Sequence, residues 1–274
     1  SKLLKYEFKS TGRTFGLCYA GVVAAALLLR ILGLLSDSIG FSDTLPRSVV
    51  LFTEFLTGLS GVAYAVMIVA VCVITFLLIL QRFYKNLLSG EGYLMRPWQH
   101  IASKLIAAVV WTVLSFFVVC VSVLVLCADH TLLPGFVQEM AELQRAFAAE
   151  YQIPLWLLCG EFILMMLVSL AVSILQIYAA IMLGHQADKH RIAMAVVAYF
   201  VIQFALSILM YALILMGLFV PEGIWFAVGS MLDSMGVAGL TSTMLLGVTA
   251  ANVVLGAIFF VVTEFLMRRR LNLE

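Results

Sequence analysis

Apolar residues in this chain come in six long runs, at about 15–36, 57–81, 104–127, 154–184, 193–219 and 241–267. A bilayer core of ~30 Å is crossed by ~20 helical residues at ~1.5 Å each, and every run reaches that length. The pattern predicts an all-α integral membrane protein, with six transmembrane helices in a single domain over residues 1–274. The fourth run exceeds what a bilayer requires, so it is expected either to tilt or to project beyond the membrane.

The segments between the runs have patterns of their own. Before the first run, Leu4, Phe8 and Phe15 share a helical face while Lys5, Lys9 and Arg13 point elsewhere, which predicts a short interfacial helix lying flat on the membrane. Residues 136–151, "FVQEMAELQRAFAAEY", read as an amphipathic helix entered through Pro134-Gly135, and Pro154 suits the first turn of the fourth span. Residues 220–240 are apolar but short and glycine-rich, and Pro221 and Gly223 are expected to break the chain there. A re-entrant hairpin in the outer leaflet is the expectation for that stretch. Gly21 with Ala25 and Ala180 with Gly184 have the spacing of small-residue helix contacts, but pairs of this kind arise by chance in so glycine- and alanine-rich a chain.

Composition sharpens the class. Of 274 residues, 64% are hydrophobic and 11% charged, with a mean hydropathy of +1.12; a water-soluble domain of this size needs far more polar surface. The net charge of +1 is spread over short clusters between spans, so no nucleic-acid-binding face is implied. Thirteen of the 16 basic residues lie in the N-terminal segment, the loops after spans two and four, and the C-terminal tail. The opposite loops hold Arg47 and Arg145 against nine acids, so the positive-inside rule places both termini in the cytoplasm.

Little in the chain resembles a catalytic set. It has no GxxxxGK[ST] phosphate loop, HExxH pair or GxSxG elbow, so it is expected to be no enzyme and to bind no ATP of its own. Cys18, Cys72, Cys120, Cys127 and Cys159 sit within or beside apolar runs without CxxC or metal spacing, and read as packing residues. His100, His130, His185 and His190 fall in polar segments and are expected to be solvated. Glu264 and Arg268 have the spacing of an ion pair on one helix.

Two ionisable residues lie deep. Arg30 is ~24 Å up the first span from its inner end and Glu161 ~10 Å down the fourth from its outer end, so their depths nearly coincide. A lone charge at mid-membrane costs ~2.5–3.5 kcal/mol on insertion scales. Either both line a substrate path, or Arg30 snorkels and Glu161 hydrates at the interface.

The loop after span two gives the one pointer to a family. "RFYKNLLSGEGYL" followed by "PWQHIASKLIAAVVW", with "KLLKYEFKSTGRTF" at the start, "LGHQADKHR" after span four and "RRRLNLE" at the end, resembles the type-2 membrane subunits of ATP-binding-cassette exporters, especially those of Gram-positive bacteria. One departure exists: in that family residues of the "FTLP" kind separate "GYL" from "PWQ", whereas here Met95 runs directly into Arg96 and Pro97. The resemblance implies a bacterial plasma-membrane permease that pairs with a second subunit, identical or sister. It also implies a cytoplasmic coupling helix, between spans two and three, that docks on a separate ATPase supplying ATP and Mg chemistry. On this resemblance Phe83, Tyr84, Leu87 and Leu88 would be the apolar anchors, and Arg82 and Lys85 the polar rim. Gly90 and Gly92 would form the turn that folds Tyr93 back, with Asn86 and Glu91 completing the element. The cargo would be amphipathic: a peptide, a drug or a lipid-like molecule. A nucleotide-independent secondary transporter or channel is the competing reading, and would be marked by ionisable groups and broken helices within the membrane.

Overall fold

In a computed structural model, residues 2–40, 46–88, 97–127, 132–151, 154–187, 190–219 and 221–271 are described. They form α1 (Lys2–Gly40), α2 (Arg47–Leu88), α3 (Pro97–Leu126), α4 (Leu132–Tyr151), α5 (Leu155–Gly184), α6 (Arg191–Leu218) and α7 (Glu222–Leu271). Six stretches are long and apolar enough to cross a membrane: Gly12–Ser38, Arg47–Gln81, Trp98–Leu126, Leu155–Gly184, Arg191–Gly217 and Gly236–Arg268. The chain is therefore a multi-pass membrane protein, with the six spans the hydrophobic runs predict. Large apolar side chains such as Phe116, Phe204 and Ile214 are exposed along these helices, as lipid contact requires.

Helix runs further than hydrophobicity does. α1 starts at Lys2, so the amphipathic N-terminal segment is continuous with the first span and is no separate interfacial helix. α2 likewise continues past the span end at Gln81 to Leu88, giving a rod of 42 residues, or ~63 Å. Backbone hydrogen bonding is indifferent to whether a side chain is apolar, and no proline stands between Gln81 and Leu88 to end it.

The amphipathic segment before span four is helical as predicted, but α4 begins at Leu132 and takes Pro134 and Gly135 into its first turn, where a missing N–H costs nothing. Pro154 caps α5 from outside, and its carbonyl accepts from Leu157 N at 3.0 Å. The stretch at 220–240 differs most from expectation. The break expected at Pro221 is present, between the end of α6 at Leu218 and the start of α7 at Glu222; Gly223 is helical, and α7 is interrupted at Gly236, with φ 68° and ψ 173°. That region of backbone space is open essentially to glycine alone, so helix occupies both sides of one interruption.

The chain divides into two compact units, one of 1–88 with 106–137, the other of 89–105 with 138–274. In the first, α1 packs on α2 around Val22, Ala26, Tyr64 and Val71. α3 joins them through side chains. The Phe15 and Trp111 rings stack with centroids 4.4 Å apart, Tyr19 Oη lies 2.7 Å from Ser115 Oγ, and Thr75 Oγ1 is 3.1 Å from that same oxygen. Nearby, Tyr64 Oη and Ser122 Oγ are 2.6 Å apart in a buried pair. With no water to satisfy them, polar groups in spans bond across helices.

In the second unit α5 is the central helix, packing on both α6 and α7. A Cβ on Gly184 would collide with the backbone of Ala195, so the end of α5 and the start of α6 approach as closely as backbones can. His190, at φ 57°, turns the chain between them.

Candidate functional site

The segment singled out by sequence, Arg82 to Tyr93, divides in two. Arg82, Phe83, Tyr84, Lys85, Asn86, Leu87 and Leu88 form the last two turns of α2, whereas Gly90, Glu91, Gly92 and Tyr93 lie outside the described residues. No separate coupling helix is present among the described residues. Any force applied to Arg82–Leu88 acts on the same helix that crosses the membrane. Within this stretch Phe83 is 1% exposed and Tyr84 half-buried. Phe83 therefore packs inside the chain, and Tyr84 is the aromatic side chain with surface to offer.

Just past this segment, the first turns of α3 are more buried than a loop reading suggests. His100, Ile101, Ser103 and Lys104 are all buried, Lys104 at 5% exposure. Expected solvation also fails at His185, which is 5% exposed and whose Nδ1 donates to Ile181 O at 2.9 Å. His190 is exposed, as expected, and His130 lies outside the described residues. In the sequence Lys104 is one of the basic residues counted between spans two and three. The available signal was its position seven residues after Pro97, which opens α3 and sets Lys104 in its second to third turn.

Arg30 and Glu161 belong to different units, and each has a partner in its own. Arg30 Nη1 donates to the carbonyl of Leu126 at 3.2 Å. Leu126 is the last residue of α3, where carbonyls lack intrahelical donors and the helix end is partly negative. Arg30 thus ties α1 to the end of α3, which gives it a structural task in the membrane. Glu161 Oε1 accepts from Ser242 Oγ of α7 at 2.7 Å. Its Oε2 is buried without a hydrogen-bond partner among the described residues.

Two more polar pairs hold α5 to its neighbours. Gln176 Nε2 donates to Gln203 Oε1 at 2.8 Å, and Asn252 Nδ2 donates to Ser169 Oγ at 3.2 Å. At the end of α7, Arg268 and Glu264 form the expected ion pair at 2.6 Å. The five cysteines are free. Among the described residues no group of three or more His, Cys, Asp and Glu is placed to hold a metal ion. No family model, no curated protein and no solved structure matches this chain.

Proposed function

We propose that the chain is the transmembrane subunit of an ATP-binding-cassette exporter, moving an amphipathic substrate across a bacterial plasma membrane with both termini inside. On this reading it performs no chemistry itself. A separate ATPase binds ATP and Mg, and a second permease subunit, identical or sister, completes the transporter. The observation that carries the proposal is the run of α2 past its span. The residues resembling a coupling element, Arg82 to Leu88, sit on a helix continuous with Arg47–Gln81. A partner gripping that end tilts the span directly, because no hinge intervenes to absorb the motion. Tyr84, Leu87 and Leu88 supply apolar contact and Arg82 and Lys85 a polar edge; Phe83 holds the element to the rest of the chain.

The test is co-expression with an ATP-binding-cassette ATPase of the source organism. The Tyr84→Asp, Lys85→Glu double variant is expected to lose the co-purifying ATPase, with association weakened about tenfold or more, while the six spans still insert. Undiminished co-purification would remove the coupling role.

A nucleotide-independent transporter remains the second reading, because α7 is interrupted at Gly236 and Glu161 carries an open carboxylate oxygen. Both are features that such carriers place around their cargo. Uptake or efflux by the purified chain alone in vesicles without nucleotide would decide for it.

A further inference from the structure

Among the described residues, α5 bonds to its neighbours through two neutral pairs, Gln176 with Gln203 and Ser169 with Asn252. A further contact, made by an acid, is incomplete. Ser242 satisfies Glu161 Oε1, and Oε2 is buried with nothing to accept from among the described residues. A carboxylate has about four lone-pair sites, and leaving them empty away from water is more costly than leaving a neutral group unpaired. The geometry therefore lacks a donor, and a positively charged one fits best.

The kind of cation follows from what surrounds the oxygen. A divalent metal needs several anionic or imidazole ligands, and no such group is present among the described residues. An ammonium needs one good carboxylate acceptor and somewhere to lay its apolar stem. Leu157, Leu158 and Met165 lie one turn above and below Glu161 on the same side of α5 and are half-buried. Independently, the break at Gly236 lies six residues before Ser242, ~9 Å along the helix, and discontinuous helices beside an intramembrane ionisable group are how carriers make room for cargo.

We propose that Glu161 is the anchor for a substrate ammonium group carried on an apolar body, with Ser242 holding the carboxylate in place. The purpose assigned here, cargo recognition, rests on the transport reading above; the chemistry of the site does not. Oε2 is covered in this conformation while Glu161 as a whole is half-buried.

The experiment uses the full chain in lipid nanodiscs and a fluorescent primary alkylammonium, dansylcadaverine, read by polarisation. Saturable binding is expected, weakened about tenfold or more in Glu161→Gln and less in Ser242→Ala. The N-acetylated probe, which has no charge, is expected to bind wild type at least about tenfold more weakly than the amine. Equal affinity of a folded Glu161→Gln protein for the amine overturns the proposal. Should that variant not fold, equal affinity of wild type for the amine and its acetylated form overturns it instead. The two readings fail separately. Glu161-dependent binding in a chain that recruits no ATPase keeps the site and removes the exporter, whereas ATPase recruitment with Glu161-independent binding does the reverse.

Discussion

At Gly184 a single hydrogen separates α5 from the backbone of Ala195. Gly184→Ala is expected to destabilise by ~1–3 kcal/mol, since backbone cannot step aside as a side chain can; the midpoint of unfolding in SDS measures it. Gly21 is the matched control. An added Cβ there would meet only Met67 Cε, at 2.8 Å, the free end of a flexible chain, so Gly21→Ala should be nearly neutral. Sequence spacing marked both glycines but gave no means of telling a meaningful pair from a chance one, because the distinction lies in what faces them. The buried Tyr64 and Ser122 hydroxyls pose a second question at this scale. A double-mutant cycle with Tyr64→Phe and Ser122→Ala should return a coupling of ~0.6 kcal/mol and no more than ~1.7, because the unfolded chain in a membrane also finds partners.

Among the helices, those whose ends coincide with the ends of apolar runs were legible, and those that outrun them were not. The spans within α5 and α6 follow from hydropathy because lipid demands apolar surface over that length, whereas α3 starts at Pro97, seven residues before its apolar run. The extensions of α1 and α2 carry lysine, arginine and aromatic residues, which suit water or headgroups as a helix or as a loop. Only the absence of proline hinted at continuity. For α7 the sequence pointed to Pro221 and Gly223, and did not single out Gly236, which adopts φ 68°. Gly236→Ala should either destabilise by ~1–3 kcal/mol or straighten α7. Distance measurements between spin labels at Ser230 and Thr243 separate the two outcomes, because straightening lengthens the span between them.

For the molecule as a whole, membrane residence was plain from the runs of apolar residues, while the ionisable residues within them were not. Arg30 and Glu161 read from sequence as deep charges at similar depth, without partners assigned; Arg30 reaches the carbonyl of Leu126, and Glu161 reaches Ser242. Depth along a helix is computable from residue number, but the direction a side chain faces depends on neighbours that no single-chain pattern reveals. Orientation is open to a direct check. With both termini inside, alkaline phosphatase fused after Gln144 in α4 should be active, and the same enzyme at the C-terminus inactive, with green fluorescent protein giving the opposite result.

The amide pair between Gln176 and Gln203, together with the tight approach at Gly184, bears on how the protein is made. Each glutamine alone would enter hydrocarbon with its donors and acceptors bare, whereas the bond between them satisfies one donor of Gln176 and the acceptor of Gln203. α5 should therefore linger at the insertion machinery until α6 emerges from the ribosome, and the pair should partition as one hairpin.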